Sequence, residues 1–173
     1  MIPEPGASTD AVRRLLPGRT VAGVERRVST DQANLSIAVD DTWLVKWFAR
    51  PVRRADLAVV DNLASVGFAH MPMHVGAVTS ADGDDGDDGD DGDDGDDGDD
   101  GDDGADEVIA VVSELVLGAT DGWIWYVDDV LAWIDGHLPL EPIVATAARM
   151  GAITAELHHA LASAGTAAAS IGP

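Results

Sequence analysis

Lys46 is the sole lysine of a 173-residue chain that also carries nine arginines, and it lies within the run TWLVKWFARP, Thr42 to Pro51. Alternation along an extended strand puts Trp43, Val45 and Trp47 on one side and Leu44, Lys46 and Phe48 on the other. An ammonium flanked by apolar groups on its own face has two outlets. It snorkels to water at a sheet edge, or it meets an anion. The second outlet is chemistry: a flexible point charge suits phosphate oxygens in a way that arginine's planar fork does not reproduce.

Other reactive constellations are weaker. The chain has no cysteine, so thiolate nucleophiles, disulfides and Cys-based zinc sites are excluded. Neither a G-x-S-x-G elbow nor a G-x-x-x-x-G-K-[ST] loop occurs. His158 and His159 are adjacent, so on a helix they diverge by about 100° and do not converge on one metal. They read as packing or surface histidines. Trp123, Trp125 and Trp133 offer faces for stacking on a sugar ring, but Trp123 falls on a helical apolar stripe and is expected in the core.

The formal charge of −22 is mostly local, because 15 aspartates lie between Asp82 and Asp103, and without them 17 acids face 10 bases, a net −7. Basic residues are few and interspersed with acids, which excludes a clustered cationic face for nucleic acid. Charges break the apolar stretches well short of a membrane span, and Met1 to Gly6 has no signal-peptide pattern. A cytoplasmic protein with no membrane partner is expected. The tract itself, seven Asp-Asp-Gly triplets from Asp84 to Gly104, does not fit an EF-hand, since a period of three that supplies its glycine also puts glycine at a ligand position. Like-charge repulsion and glycine entropy predict a disordered insert over 82–106.

The elements that must position Lys46 follow from periodicity. A short helix is expected over Asp10 to Leu16, capped by Ser8, Thr9 or Asp10 and ended by Pro17-Gly18. TVAGVERRV, NLSIAV and TWLVKWF read as strands, with Asp40-Asp41 as a tight hairpin turn between the last two. Leu57, Val60, Leu63 and Ala64 mark a helix packed on the sheet and ended by Gly67. MHVGAVT and DEVIAVVSELVL form a further strand pair around the aspartate tract. After Gly118 the pattern turns helical: Trp123, Val127, Val130, Leu131 and Ile134 share a stripe, and Pro142 opens a last helix. The fold class is α+β, an antiparallel sheet of about five strands with three to four helices.

This order of elements is that of a kinase-type small lobe: a hairpin, a lysine strand, a helix, two more strands and an extended hinge. DQANLSIAVDDTWLVKW, DLAVVDNLASVGFAHMP and ELVLGATDGWIWYVDDV resemble the maltokinase and actinobacterial glucosamine-kinase group, relatives of the aminoglycoside phosphotransferases. Together they span roughly Ser29 to Asp135 without the tract. The resemblance implies that Lys46 contacts the phosphates of ATP and that the Ser29 to Ser36 turn, with Asn34 and Ser36, covers them. It implies that backbone groups of Glu114 and Val116 meet the adenine edge.

The chain departs from the group at two points. Where the group carries a glutamate that could anchor the lysine, this chain has Ala58, leaving Asp56 or Asp61 as substitutes. The group's H-G-D-x-H-x-x-Q/N loop, which orients the acceptor hydroxyl and holds Mg²⁺, has no counterpart: Gln32, Asn34 and Asn62 are preceded at the required distance by Arg27, Ser29 and Leu57. The expectation is an ATP-binding lobe over 1–117, including an N-terminal cap, followed over 118–173 by the first helices of a large lobe whose catalytic half is absent. Mg²⁺ and a sugar acceptor are expected only where a catalytic lobe is supplied, and apolar helices left exposed would favour oligomers. The competing reading is a non-catalytic remnant or partner-binding module.

Overall fold

The computed structural model describes residues 3–28, 34–80 and 107–169. Residues 29–33, which begin the Ser29 to Ser36 turn, and the aspartate tract lie outside the described residues. The chain divides into two compact units, one built from residues 1–58 and 73–115, the other from 59–72 and 116–173.

The first unit holds α1 (Ala7–Leu15), β1 (Glu25–Arg27), β2 (Asn34–Val39), β3 (Trp43–Arg53), β4 (His74–Thr79) and β5 (Glu107–Glu114). Its five strands form one sheet in the order β1-β2-β3-β5-β4, antiparallel at each pairing. The expected α+β class and five-stranded antiparallel sheet are found. Asp40 and Asp41 lie in the β2–β3 turn with φ of 53° and 47°, a left-handed pair that aspartate tolerates, and Thr42 N donates to Val39 O at 3.1 Å across it. β3 is longer than expected. Its register with β5 shifts between Trp47 and Val52, across Pro51, which has no N–H to give the ladder.

α1 packs on this sheet. Ala11 and Val12 of α1 pack with Val39, Trp43, Val45, Trp47, Val78, Ala110 and Val112 in one buried cluster. Trp47 Nε1 donates to Ser8 Oγ at 2.9 Å inside it. Gly76 lets the helix come close, since a Cβ there would meet Leu15 Cδ2 at 3.2 Å.

α1 also starts earlier than its sequence suggests, with Gly6 as N-cap and no cap from its own side chains. The cap comes from across the sheet. Glu25 Oε1 accepts from Thr9 N at 2.8 Å and from Thr9 Oγ1 at 2.9 Å, while Glu25 Oε2 accepts from Gly6 N at 3.2 Å. A carboxylate at a helix N-terminus satisfies otherwise orphan donors and complements the helix dipole. A cap 19 residues away leaves no local signature.

Asp40 serves the loop before β1 in a similar way. Its carboxylate accepts from Ala22 N at 2.7 Å, Val24 N at 2.8 Å and Gly23 N at 3.0 Å. Gly23 has a φ of 92°, which glycine adopts without a steric penalty. The Val24 N–H foremost, then those of Ala22 and Gly23 and the charge of Arg13, hold the Asp40 carboxyl below its ordinary range against partial desolvation.

The second unit contains α2 (Ala58–Ser65) from its second residue on, α3 (Gly122–Ile134) and α4 (Leu140–Ala169). Gly67, with a φ of 68°, stands where α2 stops, and Phe68 N donates back to Leu63 O at 3.0 Å, as a glycine stop does. His70 Nε2 lies 2.9 Å from Glu156 Oε2 of α4. Trp123 reverses its expectation of burial: it is 77% exposed, because α3 buries none of its residues. His158 and His159 are exposed on α4. Among the described residues no helix is long and apolar enough to cross a membrane.

Candidate functional site

The face of the sheet opposite α1 carries Asn34, Ser36 and Lys46. β2 and β3 pair so that Ser36 lies across from Lys46 and Asn34 across from Phe48, and on the other side of β3 Lys46 lies across from Val111. Cross-strand partners share a face, with Cβ atoms about 5 Å apart, and the next pair along is about 7–8 Å away. One row therefore runs Ser36, Lys46, Val111, with Asn34 and Phe48 in the row beside it. Trp43, Val45 and Trp47 are buried on the α1 side, whereas Leu44, Lys46 and Phe48 are half-buried. The period of two thus places the ammonium away from the core, among a buried serine hydroxyl, a carboxamide and apolar flanks.

A cation beside hydroxyl and amide donors forms a surface suited to an anion such as phosphate. Lys46 and Asn34 each also have an interaction partner within the chain. Asp56, considered as an anchor for the lysine, pairs with Arg53 at 3.2 Å on an exposed turn. Ala58 begins α2, and Asp61 lies within it.

Glu114 ends β5, where its N–H donates to Met73 O at 2.9 Å, and the next N–H, of Leu115, donates to Thr42 O at 2.8 Å. The exposed Val116 accepts from Ala119 N at 3.4 Å and begins the chain's return to the second unit. Asn34, Ser36, Lys46 and Glu114 consequently belong to the sheet unit and Val116 to the helical one. Val111 escaped the sequence reading because its place beside Lys46 depends on β5 inserting between β3 and β4. No signal in the sequence gives that strand order.

An antiparallel five-stranded sheet with a helix on one face, a lysine on the other and helices following defines an α+β protein of kinase-like architecture. Comparison with known proteins narrows the class. The chain is 30% identical over 167 residues to the glucosamine kinase of Streptacidiphilus jiangxiensis, covering 92% of this chain and 34% of that protein. It is 28% identical over 140 residues to the glucosamine kinase of Mycolicibacterium smegmatis, covering 80% of this chain and 30% of that one. Among solved structures it is similar to a glucosamine kinase in complex with glucosamine, ADP and inorganic phosphate, with a TM-score of 0.59 and 26% identity over 94% of this chain and 37% of that one. A second crystal form of a glucosamine kinase gives 0.60 and 27%, over 93% of this chain and 38% of that one. No protein-family model matches.

In both sequence and structure, most of this chain is similar to part of glucosamine kinases. The chain spans about a third of the length of the curated relatives it matches.

Proposed function

We propose that this chain is the N-terminal, ATP-binding portion of a sugar kinase of the maltokinase and glucosamine-kinase group. The observation that carries the reading is Lys46 on the core-averted sheet face beside Ser36 and Asn34, in a chain similar over nearly its whole length to a glucosamine kinase solved with ADP. In this reading Lys46 neutralises the nucleotide phosphates, and Asn34 and Ser36 lie under them. The adenine edge meets backbone groups of Glu114 and Val116. Glu114 contributes its carbonyl oxygen, since its N–H is committed to Met73.

Acceptor chemistry is a separate requirement. Phosphoryl transfer is largely positioning and charge stabilisation, with an aspartate at the attacking hydroxyl and Mg²⁺ on the phosphates. These 173 residues contain no H-G-D-x-H-x-x-Q/N segment. Sugar binding and Mg²⁺-dependent turnover therefore belong to a form in which that segment is supplied, and nucleotide binding is the part assigned to this chain.

The test is an ATP titration followed through the backbone amide signals of Asn34, Lys46 and Val116. Binding is expected with a Kd on the order of 0.1 to 1 mM, equivalent to roughly 4 to 5.5 kcal/mol, and its loss in Lys46→Met. Absence of shifts at about 5 mM nucleotide, several times the weaker value, would reject the nucleotide role in favour of a non-catalytic module.

A further inference from the structure

The nucleotide reading leaves the aspartate tract unused, yet the sheet fixes where its charge is attached. β4 stops at Thr79 and β5 begins at Glu107. Thr79 pairs with Val108, which pairs with Val52, while Ala77 pairs with Val111, which pairs with Lys46. The Lys46 row thus lies a few residues from both attachment points. At about 3.3 Å per residue along a strand and about 4.8 Å between strands, Thr79 and Glu107 each stand within about 15 Å of Lys46. They leave from the end of the sheet that carries Asn34, across from Phe48.

Asp82 follows Thr79 by three residues and Asp106 immediately precedes Glu107, so covalent bonding alone keeps the ends of this charge near the Lys46 row. Between Ala81 and Asp106 there is no lysine or arginine. Cations at the same end of β3 are Arg50, Arg53 and Arg54, all exposed, and Arg53 already pairs with Asp56 and lies across from Glu107. Three guanidinium groups cannot cancel 15 carboxylates. A nucleotide brings negative charge of its own, and a Debye length of about 8 Å at physiological salt leaves part of the repulsion in force. We propose that the tract is an electrostatic brake on anion binding at Lys46, setting nucleotide affinity by charge and making it depend on ionic strength. The proposal rests on the reading of Lys46 as a phosphate ligand, and it requires no contact between tract and ligand.

Three versions of the chain test it: the parent, one with all 15 aspartates from Asp82 to Asp103 replaced by serine, and one with the same residues replaced by glutamate. ATP, AMP and inorganic tripolyphosphate are titrated into each and followed through the Lys46 amide signal. Ionic strength is set at about 0.1 M and then at about 1 M, where the Debye length is about 10 Å and about 3 Å. The serine protein is expected to bind ATP at least ~3-fold tighter than the parent at the lower salt, with a smaller gain for the less charged AMP and none at the higher salt. The glutamate protein, which keeps the charge, should match the parent. Equal ATP affinity in the serine and parent proteins, a gain that survives high salt, or a glutamate protein that behaves like the serine one would overturn the proposal. If no version responds to ATP, the nucleotide reading falls and tripolyphosphate decides: tighter binding by the serine protein upholds the brake, and equal or absent binding overturns it.

Discussion

The hydrogen bond between Trp47 and Ser8 ties β3 to α1 on the face away from Lys46. Trp47 is the neighbour of Lys46, and with a side-chain period of two a slip of one residue would exchange them. The donor Nε1 lies 2.9 Å from Ser8 Oγ, Ser8 is 1% exposed and Trp47 6%. Ser8→Ala removes the acceptor and strands a buried indole N–H, which costs about 1–3 kcal/mol, well above the net worth of an ordinary hydrogen bond. Trp47→Phe removes the donor and some volume, at about 2 kcal/mol for the imperfectly filled space. The freed Ser8 hydroxyl can turn to a helix carbonyl. In the double variant the stranded N–H no longer exists. Its cost should fall short of the sum of the single variants by about 1–2 kcal/mol. Guanidinium melts of the four proteins, analysed at equal slope, measure this directly. Additivity within about 0.3–0.5 kcal/mol, or a Ser8→Ala cost below about 0.5 kcal/mol, would refute the pinning argument.

Glu25→Ala should lower stability by about 1 kcal/mol, within the range for lost helix caps, and speed amide exchange at Gly6 and Thr9 selectively; an unchanged melt would show the cap to be idle. Asp40 has a folded pKa below its unfolded value, so its contribution is fully present above the ordinary carboxylate range and fades as pH falls through the lowered folded value. Stability of the parent chain should therefore drop below about pH 4, and Asp40→Asn should remove part of that drop while costing stability at neutral pH. An identical acid profile in the two proteins would contradict the cradle. Replacing residues 81–106 by Asn-Gly joins β4 to β5 next to the Thr79 and Val108 pair. It should preserve the circular-dichroism spectrum and stabilise by at most about 2 kcal/mol, since each halving of a loop gains roughly 0.6 kcal/mol. Loss of cooperative melting would mean that the tract supports the fold.

Local pattern carried much of this protein. β2 and β3 were legible because their alternation is regular and Asp40-Asp41 tolerates the left-handed turn between them. The α2 stop was legible because glycine at 67 adopts a positive φ freely. Lys46 was legible because a lone cation between Leu44 and Phe48 breaks an apolar face, and alternation alone assigns it the side away from Val45 and Trp47.

Tertiary structure decided what sequence distance conceals. Glu25 caps α1 and Asp40 cradles the loop before β1 through bonds that join residues far apart in the chain, so neither N-cap nor turn rules could find them. Whether Trp123 was core or surface could not be read from its stripe, because a helical stripe records that some surface will cover it without saying which. Val111 became the neighbour of Lys46 only when β5 inserted between β3 and β4. Alternation set which side of its strand each residue occupies, a property of the backbone alone. Contacts across the sheet and beneath α1 set its company, because they depend on how the remaining strands are arranged.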